Sequence, residues 1–430
     1  MRYIEQYLSR FAEPEIELIE QIVGQYTKVL AIPVHAEGDN IRHTITSIPN
    51  WDKLLVILVI NGNQDDLTSP TLKANISSHR WLHHHFGQAI ELQKGHQLFQ
   101  LGSSAMLMID RFTPLNSLPS KQGVGLARKI AADIALALYQ SGKLKTEWLH
   151  CTDADATLPS DYFKHAENHQ FVAYHYPFEH YHDNSEIERA ATLYEISLRH
   201  HRLGLLYAGS PYAFHSIGSL LKINLHAYAK VRGFPKRQAG EDFYLLNKLR
   251  KLGKIGALQG DAVRLSGRVS SRVPFGTGPA VQSLLAANQD IFYHHRVYQL
   301  LALLLSHCNN QITNHLFAPP DNDCTPTNLE DIQIINKLLS TTGYQSKLEQ
   351  LWNKYTDPQR RAQHLLMWFD GFKTLKVIHT LTDLNFPRVR LEAAVANAPY
   401  GDNQWSNTST DDLNLLNKQL QKMELAAQSI

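Results

Sequence analysis

Asp153 and Asp155, two aspartates separated by one residue, are the side chains best suited to chemistry in this sequence. They follow an apolar run at residues 148–151, which predicts the end of a buried strand. In an extended or turning segment, residues i and i+2 point to the same side, so the two carboxylates would lie together and repel each other. Mg²⁺ and Mn²⁺ prefer oxygen ligands of this kind. The spacing therefore indicates a site for a divalent cation.

A structural alternative for the same aspartates is a turn in which they cap a helix that starts at Pro159. The pattern alone favours the turn, and the metal interpretation gains weight from the other motifs along the chain. A calcium loop of the EF-hand type is excluded, because Lys164 stands where the bidentate glutamate belongs and the glycine of the sharp turn is missing.

A second acidic pair, Glu241 and Asp242, follows Gly240 and precedes a helical apolar pattern at residues 243–249. Carboxylates at a helix amino terminus are favoured by capping and by the helix dipole, so this pair has a structural explanation as well.

Arginines recur in a third stretch, at Arg264, Arg268 and Arg272, within a loop rich in glycine and serine. Guanidinium groups bind phosphate through two hydrogen bonds, and glycines let the backbone approach a ligand. The stretch suits a diphosphate, and a solvated basic loop remains the alternative.

Alternating strand and helix patterns surround these motifs, as in an α/β domain. Strands are predicted at residues 28–34, 54–60, 105–109, 171–174 and 216–225, and helices at 40–48, 123–140, 186–203 and 241–249. The wholly apolar run 54–60 is typical of a strand covered on both faces, and Asn61 begins a polar loop at its carboxyl end, where such sheets bind ligands. Gly123 and Gly125 do not form a dinucleotide fingerprint, because Arg128 occupies the place of the third glycine.

Three regions are predicted along the chain: an amphipathic helical segment at 1–25, an α/β domain at 26–280 and a helical region at 281–430. The helical region shows long periodicities at residues 329–339, 344–352 and 362–379. It could cover a site on the α/β domain or form a dimer. A run of histidines at 83–85 fits an exposed loop better than a metal site.

Composition narrows the class of protein. The 430 residues include 42 Lys and Arg and 40 Asp and Glu, and the resulting net charge of +2 does not indicate nucleic-acid binding. Three widely spaced cysteines fit a reducing compartment. The acidic residues among the first 25 are unlike a signal peptide, and the longest strongly apolar stretch, 300–305, is too short to span a bilayer. We expect a soluble, cytoplasmic protein.

Taken in order, four motifs in residues 28–272 resemble the family 2 glycosyltransferases of the GT-A fold. They are Ile-Pro-Val-His-Ala-Glu-Gly-Asp-Asn-Ile at 32–41, Gly-Val-Gly-Leu-Ala-Arg at 123–128, Thr-Asp-Ala-Asp at 152–155 and Gly-Glu-Asp at 240–242. The resemblance implies a mixed, mostly parallel sheet flanked by helices and followed by the helical region. It also implies a soluble enzyme that makes single transfers, since the Gln-x-x-Arg-Trp motif of processive synthases is absent.

By this resemblance, the chain would transfer a hexose from a nucleotide diphosphate sugar to an unidentified acceptor hydroxyl, with inversion and with Mn²⁺ or Mg²⁺ as cofactor. Asp242 would be the catalytic base, with Glu241 orienting the loop or serving as the alternative base. Asp155 would hold the metal, and Asp153 would share it or lie nearer the ribose. The residues expected to bind the donor are Pro33, His35, Glu37, Asn61, Arg128, Asp153, Arg268 and Arg272.

Two departures from the family pattern and two rival functions remain. Asn61 stands where the family commonly has aspartate, and the third metal ligand, often a histidine, cannot be placed. Nucleotidyl transfer is one rival, although the acidic segment 35–39 suits a triphosphate poorly. The other rival is a noncatalytic module that binds nucleotide sugars or carbohydrate.

Overall fold

The computed structural model describes residues 2–66, 69–165, 167–270, 276–286, 291–314, 329–401, 410 and 412–427. The chain divides into two compact units. The first contains Met1–Ala191 and Ser216–Gln282, and the second contains Thr192–His215 and Ser283–Ile430. The chain therefore leaves the first unit for a short segment and then returns to it.

The first unit is built on a mixed sheet. Its strands are β1 (Lys28–Val34), β2 (Leu54–Asn61), β3 (Ile90–Glu91), β4 (Gln97–Leu101), β5 (Ser104–Arg111), β6 (Trp148–Cys151), β7 (Phe171–His175), β8 (Phe178–Tyr181), β9 (Leu221–Asn224), β10 (Lys254–Ala257) and β11 (Val263–Ser266). The sheet order is β10-β7-β9-β6-β1-β2-β5-β4-β3, with β8 and β11 paired separately. Within this sheet β4 and β9 run opposite to the other described strands, so the sheet is mostly parallel, as predicted.

Helices flank the sheet and make up most of the second unit. They are α1 (Arg2–Arg10), α2 (Ile41–Ser47), α3 (Pro70–Phe86), α4 (Val124–Gln140), α5 (Ser185–Tyr207), α6 (Leu225–Lys230), α7 (Glu241–Leu249), α8 (Thr277–Ala286), α9 (His295–Asn314), α10 (Leu329–Thr342), α11 (Tyr344–Lys354), α12 (Pro358–Trp368), α13 (Gly371–Leu384), α14 (Leu391–Ala396) and α15 (Leu413–Ala426). Both α3 and α4 contact β2. The predicted fold class, an α/β sheet with a helical carboxyl-terminal region, is confirmed.

The central strands agree with the apolar runs of the sequence. β1 has the predicted bounds, and β2 is buried along its whole length, as expected for a strand covered on both faces. The stretch 69–95, which had no clear pattern, contains α3. The histidines at 83–85 lie in the last turn of this helix and not in a loop.

α4 is buried on all sides and carries charged side chains inside the first unit. Asp133 accepts hydrogen bonds from the Tyr7 hydroxyl at 2.6 Å and from Lys129 Nζ at 2.8 Å. Gly233 makes room for this contact, since a Cβ there would lie 2.4 Å from the Tyr7 oxygen. A paired, hydrogen-bonded charge is the form in which a core tolerates ions, so this network fixes α1 against α4.

One helix predicted at residues 362–379 is in fact two. α12 ends at Trp368 and α13 begins at Gly371. Asp370 lies between them, and its side chain accepts a hydrogen bond from the Lys373 backbone N–H at 3.4 Å. The apolar periodicity continues through the break, whereas the cap interrupts the helix. Among the described helices, none is long and apolar enough to cross a bilayer.

α15 is attached to α5 within the second unit by a buried charge cluster around Glu424. The carboxylate of Glu424 accepts from Arg199 Nη1 at 2.6 Å and pairs with Arg202 Nη1 at 3.1 Å and His215 Nε2 at 2.8 Å. Burial opposes ionisation, yet His215 and the two arginines outweigh it and lower the pKa of Glu424. The carboxylate is therefore charged at neutral pH and balances the arginines.

Replacing Glu424 with glutamine should reduce the free energy of unfolding by about 3–5 kcal/mol, because two arginines would stay buried without this partner. Urea unfolding of the full chain measures the loss. Glu349, exposed on α11, is the matched control, and Glu349→Gln should stay within about 0.5 kcal/mol of the wild type. Equal effects of the two substitutions would contradict a structural role for the cluster.

Candidate active site

The Asp-x-Asp segment leaves β6 and is held from two sides. α2 contributes one side, since Thr44 Oγ1 donates to the carbonyl oxygen of Ala156 at 2.7 Å. On the other side Thr157 exchanges backbone hydrogen bonds with Arg264, at 2.8 and 3.0 Å. Residues 152–165 form turns, and no helix begins at Pro159 within this fully described segment. Helix capping therefore does not explain the two aspartates.

Glu241 and Asp242 are the first two residues of α7, as the sequence predicted. Gly240 precedes them with φ of 74°, a left-handed conformation that glycine adopts without strain. The loop leading to Gly240 lies against the start of α4, where the Gly125 N–H donates to the Arg237 carbonyl at 3.0 Å. A Cβ on Gly125 would lie 2.5 Å from the carbonyl oxygen of Pro235. Gly125 thus brings the α7 loop close to α4.

Arg128 of α4 joins the two acidic motifs. Its Nη2 donates to Asp153 Oδ1 at 2.7 Å, and its Nε donates to Glu241 Oε1 at 2.8 Å. The side chains of Arg128 and Glu241 are each only 4% exposed. One guanidinium therefore fixes two carboxylates that are far apart in sequence, which spacing alone could not reveal.

The position of Arg128 depends on a glycine from another element. A Cβ on Gly218 would lie 2.7 Å from Arg128 Nη2, so only glycine leaves room for the guanidinium. Burial acts to lower the pKa of Arg128, but Asp153 and Glu241 outweigh it and raise the pKa. The arginine remains charged and the two carboxylates remain paired.

Asp242 lies beside this ion pair and has a different electrostatic environment. Burial, followed by the charge of Glu241, raises its pKa from 3.8 to about 7. The Phe243 backbone N–H donates to Asp242 Oδ1 at 2.7 Å and, with Arg128, limits that rise. A carboxylate with a pKa near neutrality can accept a proton in a reaction and release it afterwards.

Arg268 links the Asp-x-Asp segment to the loop after β1. Its Nη2 is 2.6 Å from Glu37 Oε1 and 2.9 Å from Asp155 Oδ2. Each aspartate of the motif is thus bound to an arginine, Asp153 to Arg128 and Asp155 to Arg268. Of the other arginines in this stretch, Arg264 lies in β11, and Arg272 is outside the described residues.

The remaining candidates lie at the carboxyl ends of β1 and β2. His35 Nδ1 is 3.0 Å from the Asn61 carbonyl oxygen, and Pro33 pairs in register with Val59. Asn75, which the sequence analysis did not single out, donates to the Asn61 carbonyl at 2.9 Å and accepts from the Ala36 N–H at 2.9 Å. An asparagine within a helix gives no sequence signal for such a link between two strand ends.

The carboxylate oxygens of Asp153 and Asp155 are suitable ligands for a divalent cation. Their side chains are 37% and 24% exposed, so a cation from solvent can reach both. In the described part of the chain, no group of three or more His, Cys, Asp or Glu side chains is arranged to hold a metal. Mg²⁺ commonly takes one or two carboxylates together with water and substrate phosphates. The two aspartates meet that requirement if a phosphate-bearing substrate completes the set.

Comparison with known proteins gives structural matches only. No family model and no curated protein matches the sequence. Among solved structures, TarS 1-349 from S. aureus in complex with UDP-GlcNAc matches with 12% identity and a TM-score of 0.36, over 83% of this chain and 92% of that one. The mannosyltransferase PcManGT from Pyrobaculum calidifontis, in complex with GDP-Man and Mn²⁺, matches with 13% identity and a TM-score of 0.34, over 99% and 94%. At these identities and TM-scores the matches do not assign an activity.

Proposed function

We propose that this chain is a metal-dependent, inverting glycosyltransferase that moves a hexose from a nucleotide diphosphate sugar to an acceptor hydroxyl. The observation that carries the proposal is the pairing of two motifs through Arg128, which holds Asp153 at 2.7 Å and Glu241 at 2.8 Å. Asp242, with a pKa raised to about 7, adjoins this pair. Asp242, as the proton acceptor, would thus lie next to the carboxylates that would hold a cation bound to the diphosphate.

In the proposed reaction Asp242 accepts the proton of the acceptor hydroxyl. The hydroxyl oxygen forms a bond to the anomeric carbon while the bond from that carbon to the diphosphate oxygen breaks, and the bonding electrons leave with the diphosphate. Attack from the face opposite the leaving group inverts the anomeric carbon. General base catalysis of this kind contributes about a hundredfold to ten-thousandfold in rate.

Charge on the departing diphosphate needs stabilisation. Asp155, with Asp153, would hold a divalent cation, which when bound supplies positive charge to the leaving group. Arg268 adds hydrogen bonds from its guanidinium, whose geometry matches phosphate oxygens. We assign the same task to Arg272 from its place in the sequence.

We assign the nucleotide to the carboxyl ends of β1 and β2. His35 and Asn61, which are joined by a hydrogen bond of 3.0 Å, lie at these ends, with Pro33 and Glu37 on either side of His35 in sequence. Open sheets of this class bind ligands at their carboxyl edge. Arg128, which the sequence predicted as a donor-binding residue, is a positioning residue in this scheme together with Glu241, since both side chains are buried and bonded to each other.

Thermal unfolding with a panel of nucleoside diphosphates and their sugars, with and without Mn²⁺, tests the donor site. A ligand at a hundredfold excess over its Kd stabilises the fold by about 2.7 kcal/mol, which is visible as a shift in Tm. The shift should require Mn²⁺, favour one base and disappear in Asp155→Ala, whereas Asp383→Ala, an exposed change on α13, should keep it. Release of nucleoside diphosphate from the preferred donor then measures turnover. Binding without turnover would favour the noncatalytic module.

A further inference from the structure

In the protein without ligand, Arg268 places a positive charge beside Asp155. Its Nη2 atom lies between Glu37 Oε1, at 2.6 Å, and Asp155 Oδ2, at 2.9 Å. The Glu37 side chain is 5% exposed and that of Arg268 is 26% exposed, so the three groups interact with limited access to water. Charge interactions are stronger in such surroundings than at a fully solvated surface.

The backbone on both sides of Arg268 is held in place. The Gly267 N–H donates to the Tyr181 carbonyl at 2.9 Å, and a Cβ on Gly267 would lie 2.9 Å from the Ala191 Cβ. On the other side Gly278 lies against Ser270, since a Cβ there would be 2.6 Å from the Ser270 carbonyl oxygen. Close packing on both sides fixes the position of the Arg268 backbone.

We propose that Arg268 is the counter-ion of Asp155 in the donor-free protein and that it competes with a divalent cation for this carboxylate. Two positive groups on one carboxylate repel each other, so each weakens the binding of the other. Glu37 gives the guanidinium a second carboxylate, to which Arg268 stays attached when the cation occupies Asp155. The inference rests on the proposed function for the identity of the ligands.

A diphosphate changes this competition because it offers the guanidinium another anionic partner. Once Arg268 has turned to the diphosphate, its positive charge no longer competes with the cation at Asp155. Nucleotide and cation therefore bind with positive coupling, and each raises the affinity of the other by the same factor. In the absence of nucleotide the site holds its own positive charge and binds metal weakly.

Isothermal titration of the 430-residue chain with Mn²⁺, in the absence of nucleotide, tests the competition. Arg268→Gln should bind Mn²⁺ about tenfold more tightly than the wild type, within the usual range of coupling between sites. Arg264→Gln is the matched control, since Arg264 lies four residues away and is engaged with Tyr181, 4.1 Å from its ring, and Glu179, at 3.3 Å. It should bind Mn²⁺ as the wild type does. Equal affinities of the wild type and Arg268→Gln would overturn the inference.

Repeating the titration with saturating UDP or GDP tests the coupling. The wild type should gain about tenfold or more in Mn²⁺ affinity from the matching nucleotide, and Arg268→Gln should gain clearly less. Equal gains would overturn the inference. A further outcome is that neither nucleotide changes Mn²⁺ binding while Arg268→Gln still binds Mn²⁺ more tightly than the wild type. That result would support competition at Asp155 and contradict the nucleotide donor of the transferase proposal.

Glu37→Gln gives an independent test should Arg268→Gln fail to fold, with thermal unfolding as the check on both variants. It removes one of the two carboxylates that hold Arg268, so the guanidinium relies more on Asp155, and Mn²⁺ binding should weaken. Unchanged or tighter binding would contradict the competition. If no variant binds Mn²⁺, with or without nucleotide, the competition at Asp155 is also contradicted. The transferase proposal would then be tested by donor turnover alone.

Discussion

Asp242→Asn is expected to lower sugar transfer by about a hundredfold to ten-thousandfold while leaving donor binding largely intact. The amide of asparagine keeps the size of the side chain but cannot accept the proton of the acceptor hydroxyl. Steady-state turnover and the nucleotide-dependent Tm shift, measured on the same preparation, separate the two effects. Loss of turnover and donor binding together would contradict this role, as would Glu241→Gln abolishing transfer while Asp242→Asn retains it.

The pH dependence of the wild type provides a further check on Asp242. Its pKa of about 7 means that the basic form is scarce at pH 5 and predominates at pH 8. The value of kcat/KM should therefore rise with pH through about 7. A profile that is flat between pH 5 and 8 would exclude Asp242 as the base.

Stability should change in the opposite direction from activity. Because the folded-state pKa of Asp242 is raised, the folded protein retains a proton that the unfolded chain has lost between about pH 4 and 7. Stability thus falls as pH rises through this window, and above pH 7 the wild type bears the full cost of the charge on Asp242. Asp242→Asn removes that charge, so its Tm at pH 8 should exceed that of the wild type, and the difference should shrink at pH 5.

Arg128→Met is expected to reduce the free energy of unfolding by about 3–5 kcal/mol, because Glu241 would remain buried without its partner. Denaturant unfolding measures this loss. Combining the change with Glu241→Gln removes the unpaired charge, so the double variant should be more stable than the sum of the single effects predicts, by about 0.5–3 kcal/mol. Strict additivity would contradict a direct Arg128–Glu241 pair.

Arg128 should also influence the reaction through Asp242. Its positive charge lowers the pKa of Asp242 against the larger effects of burial and Glu241. Arg128→Lys retains the charge but loses the two-pronged contact, so it tests geometry separately from charge. In Arg128→Met the pH at which kcat/KM rises should move upward. An unchanged pH profile would indicate that Arg128 has only a structural role.

Strong local patterns explain why much of the first unit was predictable. The apolar runs of β1 and β2 and the start of α7 at Glu241 lie within a few residues of their predicted places. By contrast, β8, β10 and β11 have four residues each and are stabilised by pairing with distant strands, so their sequences carry little signal. The break between α12 and α13 was missed because the apolar periodicity continues across it.

The site was predictable in its residue types and not in its connections. Asp-x-Asp and Gly-Glu-Asp stand out as motifs, whereas the guanidinium that joins them comes from a helix 113 residues before Glu241. The space for that guanidinium is made by Gly218, which lies in neither motif. Such contacts depend on tertiary packing, and a single sequence contains no record of them.

The place of β9 in the sheet has a consequence for synthesis of the protein. β9 lies between β6 and β7, yet it follows both in the chain, after the segment that enters the second unit. During synthesis, the edges of β6 and β7 that pair with β9 therefore remain unpaired until residue 224 has been made. Unpaired edges invite association with other chains. Association of the nascent chain with other chains is therefore favoured in that interval.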